Sequence, residues 1–332
     1  MIVGMDSRDL PRESKLELTR DQSLVGLDGR SLRRAHRSGV KYRLTRGVYL
    51  QSGAWNSADD DERYLLRIEA AVLTRRSRPV LSHFSAARVW GIPVLGFWPS
   101  EVHLMAGGGG TRESKYGIVW HHDALLDDEV TEVDGFLVTT RLRTLVDLAR
   151  STRFLSAVVS LDAGLKPAYA LPNGARDHGI SHEELVEAVA RLGAVRGCRG
   201  ARLAAAFADG KSGSPGESVS RANIFLCGFP APMLQVAYPR PDGADDIADF
   251  TWEARHSVHG IPLLGEFDGR VKYTRNQYTH GRPIEEIVWQ EKIREDRLRA
   301  PGRGMVRWLW DVALNPVALR ARLIGAGLRP ER

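Results

Sequence analysis

The stretch Ile247-Ala248-Asp249-Phe250-Thr251-Trp252, followed by Ile261-Pro262-Leu263-Leu264-Gly265-Glu266-Phe267-Asp268-Gly269, decides how the last third of the chain is read. Both segments are short runs of β-branched, aromatic and aliphatic residues, the composition of a strand. Both carry acids among these apolar residues: Asp249 on the first, Glu266 and Asp268 on the second. Strand side chains alternate between faces, which puts Glu266 and Asp268 on one face. A hairpin pairing of the two segments brings Asp249 to them. Hard oxygen donors gathered in this way suit a divalent cation such as Mg²⁺, which polarises a scissile phosphate and activates water. Asp249, Glu266 and Asp268 are therefore candidate metal ligands if the two strands pair as a hairpin.

Working outward, Glu217 follows Ser214-Pro215-Gly216 at the start of a helix that runs to Cys227. Beyond the acidic strand the pattern predicts a helix from Ile284 to Arg299, then a strand from Met305 to Trp310. Helix, strand, strand, helix, strand is the order of a restriction-endonuclease-like core. The pieces "PGES", "IADFTW", "LLGEFDGRVKY", "EKIREDRLRAPG" and "MVRWLWD" resemble the very-short-patch-repair-like family of PD-(D/E)xK nucleases. That resemblance implies Mg²⁺-dependent hydrolysis of DNA phosphodiester bonds. It makes Glu217, Asp249, Glu266 and Asp268 the site positions, with Arg294, Asp296 and Arg307 in support. The motif asks for Glu-x-Lys, and here Asp268 stands where the lysine belongs. Lys272, or Lys292 on the following helix, is the substitute to look for, and Lys272 completes the expected catalytic set.

Before this unit, Asp209-Gly210-Lys211-Ser212-Gly213-Ser214-Pro215-Gly216 reads as a boundary. Residues 166–180, rich in Pro, Gly, Asn and Ala, read as a connection, and Ser181-His182-Glu183-Glu184 as a capped helix start. The middle of the chain alternates element types. Helices are expected over 59–75, 82–90, 142–149 and 155–165, and strands at 101–104, 117–121 and 135–139.

The N-terminal segment is the basic one. A helix starting near Thr19 breaks at Gly26 and Asp28-Gly29, and Ser31 caps a second helix that ends at Ser38-Gly39. Val40 to Leu50, interrupted by Arg46-Gly47, reads as a hairpin. Arg30, Arg33, Arg34 and Arg37 recur at three- and four-residue spacing and share a helix face; Lys41, Arg43 and Arg46 sit on the hairpin. Guanidiniums in this arrangement suit phosphate contact and bidentate readout of guanine. These seven are the expected DNA-binding residues. The close "LRRAHRSGVKYRLTRGVYL" resembles the winged-helix start of the AbiEi family, the antitoxins of type IV toxin–antitoxin systems. The pieces "LSHFSAARVWGIP" and "TTRLRTLVDLAR" are similar to the same family's middle section. The resemblance implies a regulator with a cognate toxin, and one recognition helix per head makes a homodimer the expected assembly.

The expected architecture is thus an α+β multidomain chain: a winged helix-turn-helix over 15–55, an α/β domain over 56–170, a helical linker over 171–213 and a nuclease-like domain over 214–325. Its expected function is that of a DNA-binding protein with an endonuclease-like C-terminal domain. The alternative is a non-catalytic regulator or antitoxin with a degenerate nuclease fold. Only Cys198 and Cys227 occur, without CxxC spacing, which argues against a disulfide framework or a cysteine zinc site. Neither a secretory leader nor an apolar run long enough for a membrane is evident, so a cytoplasmic protein without a membrane partner is expected. Residues 107–110 read as a glycine hairpin tip. Gly210-Lys211-Ser212 lacks the earlier glycine of a phosphate loop, Ala205 standing there. His83, His103, His121 and His122 show no HExxH or HxH spacing and read as surface or partly buried histidines. Ser82, His83 and Asp147 invite a hydrolase reading, which no GxSxG supports.

Overall fold

The computed structural model describes residues 15–24, 30–107, 112–166, 169–170, 174, 176–269 and 284–331. Lys272 and glycines 108–110 lie outside them. The chain is a mixed α+β protein of two compact units: Met1–Ser151 with Ala168–Cys198, and Thr152–Pro167 with Arg199–Arg332.

In the first unit, helices Thr19–Leu24 and Arg30–Arg37 precede a hairpin of strands Lys41–Thr45 and Val48–Gln51. Strand Glu17–Leu18 pairs antiparallel on the free side of Val48–Gln51. Arg46 and Gly47 form the hairpin tip, where Gly47 takes φ +82°, a conformation without steric cost only for glycine. Leu18, Val48 and Leu50 share a core with Trp55, Ala70 and Leu73. The basic head is thereby fixed to a short helix, Ser52–Ser57, that sequence periodicity does not announce, and to helix Asp60–Leu73. Asp59 caps the latter, its carboxylate accepting from the Glu62 N–H while Glu62 accepts from the Asp59 N–H. Helix His83–Trp90 ends on Gly91 in the left-handed conformation. Strands Val102–Met105 and Ile118–His121 run parallel; Val130–Val133 and Phe136–Thr139 form a hairpin whose first strand the alternation pattern does not mark. Leu81 bridges to both Leu104 and Val138 and ties the pairs together. Helices Arg141–Ser151 and His182–Ala190 complete the unit, the latter with the capping box of Ser181 and Glu184.

The second unit holds a four-stranded sheet in the order Met233–Pro239, Asp245–Trp252, Leu263–Phe267, Gly304–Trp308. The first three strands are antiparallel neighbours and the last joins in parallel after helix Ile284–Arg299. Strand Met233–Pro239 is an addition to the expected order. Strand Gly304–Trp308 also stops earlier than expected, and Trp310 begins a short helix, Trp310–Ala313. Gly265 lies beneath two indoles: a Cβ there would stand 2.8 Å from Trp308 and 3.0 Å from Trp252. The Trp308 indole N–H donates to Ser220 of helix Pro215–Leu226 at 2.8 Å, while Leu264 packs with Ala248 and Leu298 of helix Ile284–Arg299. Helix Phe154–Gly164 belongs here too. Its buried Asp162 accepts both Nη2 bonds of Arg221 (2.7 and 2.9 Å) and the Asp209 N–H.

Candidate functional site

In the second unit the acids stand side by side at one end of the sheet. Glu217 sits in the first turn of helix Pro215–Leu226, and its oxygens accept from Ser214 Oγ (2.8 Å), the Gly213 N–H (2.7 Å) and Gln235 Nε2 (2.9 Å). Helix and strand approach closely here because Gly216 has no side chain: a Cβ would fall 2.0 Å from the Phe267 ring. Gln235 also donates to Asp249 Oδ1 at 3.3 Å. It does so from φ +51°, an uncommon conformation for a non-glycine residue. Asp249 lies one step beyond the Phe250–Gly265 register pair, across from Glu266, and its Oδ2 accepts the Phe267 N–H at 2.9 Å.

Glu266 and Asp268 are each matched by one arginine. Arg294 grips Glu266 through both oxygens (3.0 and 2.8 Å), and Arg307 grips Asp268 likewise (2.7 Å for both). Glu291 accepts from both arginines and Glu295 from Arg307, so one network spans helix Ile284–Arg299 and the last two strands. Burial pushes the Glu266 carboxyl above the ordinary glutamate range against the pull of Arg294. Its salt-bridged surroundings push the Arg307 guanidinium pKa higher still than usual, chiefly through Asp268. Asp296 and Lys292 are exposed on the helix.

This donor set does not fit Mg²⁺ as arranged. Asp249, Glu266 and Asp268 do not form one group of ligand atoms within 4.8 Å of each other. Bidentate arginines occupy the latter two, and Asp249 commits an oxygen to a backbone N–H.

In the first unit, Arg30, Arg33, Arg34 and Arg37 are exposed on one face of their helix, with buried Leu32 on the opposite face. Arg43 and Arg46 are also exposed, whereas Lys41 is half-buried in an ion pair with Glu17. Two concavities share walls beside the hairpin, and a third adjoins the second through Arg75. One, of about 600 Å³, is lined by Arg20, Arg33, Arg43 and Arg46 among others. The next, of about 790 Å³, has Arg43, Arg46, Arg67 and Arg75. The third, of about 400 Å³, has Arg75, Arg76, Arg78 and Arg112. No Asp or Glu lines any of the three among the described residues. Arg67 lies over Trp55, and Arg75 and Arg112 over Trp120, so that aromatic faces help hold guanidiniums close together. The basic run legible in sequence ends at Arg46 and misses this continuation. The Arg75-Arg76 pair at the end of the long helix is the signal that points to it.

As a class, this is a two-unit α+β chain with an arginine-lined concave surface in one unit and an acid–arginine network in the other. No family model matches it. The chain is similar to two proteins of Mycobacterium tuberculosis, "Uncharacterized protein Rv2248" and "Uncharacterized protein MT2308", each 29% identical over 177 residues. Those matches take in 53% of this chain and 61% of each relative, so the chain spans less than two thirds of their length. Among solved structures, the crystal structure of the RV2827C protein from the same organism aligns with a TM-score of 0.38 at 14% identity, covering 71% of this chain and 86% of that one.

Proposed function

We propose that this chain is a DNA-binding protein that acts by binding rather than by cleavage. In this reading the N-terminal segment is a winged helix that holds duplex DNA, and the C-terminal unit is a nuclease-type fold turned to structural or binding use. The observation that carries it is the run of arginine-lined concavities without a lining carboxylate. A surface of one sign concentrates field and attracts a polyanion, and each phosphate neutralised releases counterions. The arginine-gripped Glu266 and Asp268 support the non-cleaving half of the reading. The role that suits such a protein is a regulator of antitoxin type, with a cognate toxin and a homodimeric assembly as part of the proposal.

Fluorescence anisotropy of a labelled duplex against salt tests it. The triple variant Arg33→Ala/Arg43→Ala/Arg46→Ala should bind more weakly, with the slope of log K against log salt reduced by about 0.9 for each phosphate that is no longer neutralised. Unchanged affinity and slope would sink the DNA reading. Incubation of supercoiled plasmid with Mg²⁺ or Mn²⁺ tests the second half. Nicking that disappears in Asp249→Ala/Glu266→Ala would make the protein a nuclease instead.

A further inference from the structure

Three histidines that lie far apart in sequence come together in the first unit. His83 opens helix His83–Trp90, His103 lies on strand Val102–Met105 and His121 ends the parallel strand Ile118–His121. Val119 is the register partner of His103, and His121 stands two residues further on, on the same face. Each of the three offers a ring nitrogen, and all three nitrogens lie within 4.8 Å of one another. His103 Nδ1 and His121 Nε2 are 2.9 Å apart, and the His83 ring stacks on His121 with centroids 3.5 Å apart.

We propose that His83, His103 and His121 bind one divalent transition-metal cation of the zinc class, with Asp147 as the carboxylate that orients His83. Burial is the main reason the imidazole pKa values fall, to about 2 for His83 and about 4 for His103 and His121. Burial thus favours the neutral ring, the form in which a ring nitrogen offers a lone pair to a metal. Three imidazoles with one open position make up a known class of zinc ligand set, and nitrogen donors favour zinc, copper or nickel over Mg²⁺. His103 and His121 are only partly buried, which leaves the fourth position to a water or a small anion. Cation binding replaces the hydrogen bond between His103 and His121 and turns the His83 ring out of its stack on His121, because a metal lies in the plane of each imidazole that ligates it.

Asp147 supplies the second, independent observation. It is fully buried, and its Oδ1 accepts from Arg143 Nε at 3.1 Å. Its Oδ2 accepts no hydrogen bond among the described residues and lies 3.8 Å from His83 Nδ1. A carboxylate behind a ligating histidine fixes the ring and raises its basicity. The hydrolase arrangement fails on the same geometry. Ser82 Oγ also approaches Nδ1, at 3.1 Å, whereas a relay needs its acid and its nucleophile at opposite ring nitrogens. His83 itself takes φ +48°, a costly conformation for a residue with a side chain and one that clusters at ligand sites. Two cations stand near, Arg143 and Arg150, and both are matched: Arg143 by Glu129 and Asp147, Arg150 by Asp123. Their repulsion of a dication is offset accordingly.

The test uses the 332-residue chain, stripped with a chelator and titrated with Co²⁺ while visible absorption is followed, then back-titrated with Zn²⁺. One equivalent of Co²⁺ should give the bands of a low-coordinate nitrogen site and be displaced by Zn²⁺. His103→Ala/His121→Ala should abolish them, and Asp147→Asn should weaken binding roughly 10–100-fold. No bands with the wild type, or unchanged binding in the double histidine variant, overturns the proposal. Should the variants fail to fold, as read by circular dichroism, X-ray absorption of the zinc-loaded wild type decides. Three imidazoles in the outer-shell scattering support the site, and fewer overturn it.

Discussion

Asp162 and Arg221 illustrate how single residues carry this fold. Both are buried, and the guanidinium bonds both oxygens of the carboxylate and the Phe207 carbonyl. Desolvation opposes such a pair, so its loss and its replacement have different outcomes. Arg221→Met leaves a buried carboxylate without its counter-ion and should cost about 3–5 kcal/mol in urea unfolding. Adding Asp162→Leu to that variant should recover most of the loss. A further drop in the double variant would mean that the pair itself, rather than the stranded charge, provides the stability. The histidines make the complementary point. Their types are plain in the sequence, but His83, His103 and His121 are up to 38 residues apart; the parallel pairing of two short strands brings His103 to His121, and helix His83–Trp90 packed on the first of them brings His83.

At the scale of elements, helix Ile284–Arg299 is pinned to the sheet by the bidentate pair of Arg297 with Asp246 (2.7 and 2.8 Å). The Arg297 hydrogen bonds hold the Asp246 carboxyl below the ordinary aspartate range. A group depressed in the folded state contributes stability above its unfolded pKa and loses it as pH falls through the folded value. Wild type should therefore exceed Asp246→Asn in stability at neutral pH, with the gap closing below about pH 4. A gap that persists into stronger acid would show that the ion pair is not its source. Most elements are legible beforehand: helices with capping residues and a 3.6 period, such as Asp60–Leu73 and His182–Ala190, emerge where the pattern puts them. Several strands escape, two of them for plain local reasons. Val130–Val133 places Thr131 and Glu132 at partly or fully exposed positions, and Met233–Pro239 is mostly half-exposed and contains Gln235 in the left-handed region. The acids of the candidate site are legible as a set, and the family resemblance marks Arg294 and Arg307 as supporting positions, but spacing alone does not say which acid each one grips. Arg294 and Arg307 lie 28 and 39 residues from Glu266 and Asp268 in sequence, and nothing local couples them.

For the whole molecule, the division into units does not follow chain order. The glycine and serine cluster near Ser214 reads as a boundary in the sequence, yet the second unit takes in helix Phe154–Gly164 and resumes at Arg199. The stretch 199–332 expressed alone lacks that helix and the carboxylate of Asp162. It should unfold without a sharp transition, whereas 152–332 should unfold cooperatively, as read by circular dichroism against urea. Equal cooperativity in both would mean that the helix is an ornament of the second unit.

The same threading sets an order of events during synthesis. Ala157, Val158, Val159 and Leu161, the buried surface of helix Phe154–Gly164, leave the ribosome well before strand Gly304–Trp308 exists to complete their unit. At about 5–20 residues per second the delay is on the order of ten seconds. The first unit is itself unfinished until Cys198 has been made. Each nascent chain thus exposes helix Phe154–Gly164 until helix Pro215–Leu226, against which it packs, has been made, and carries an unfinished sheet until the last strand follows.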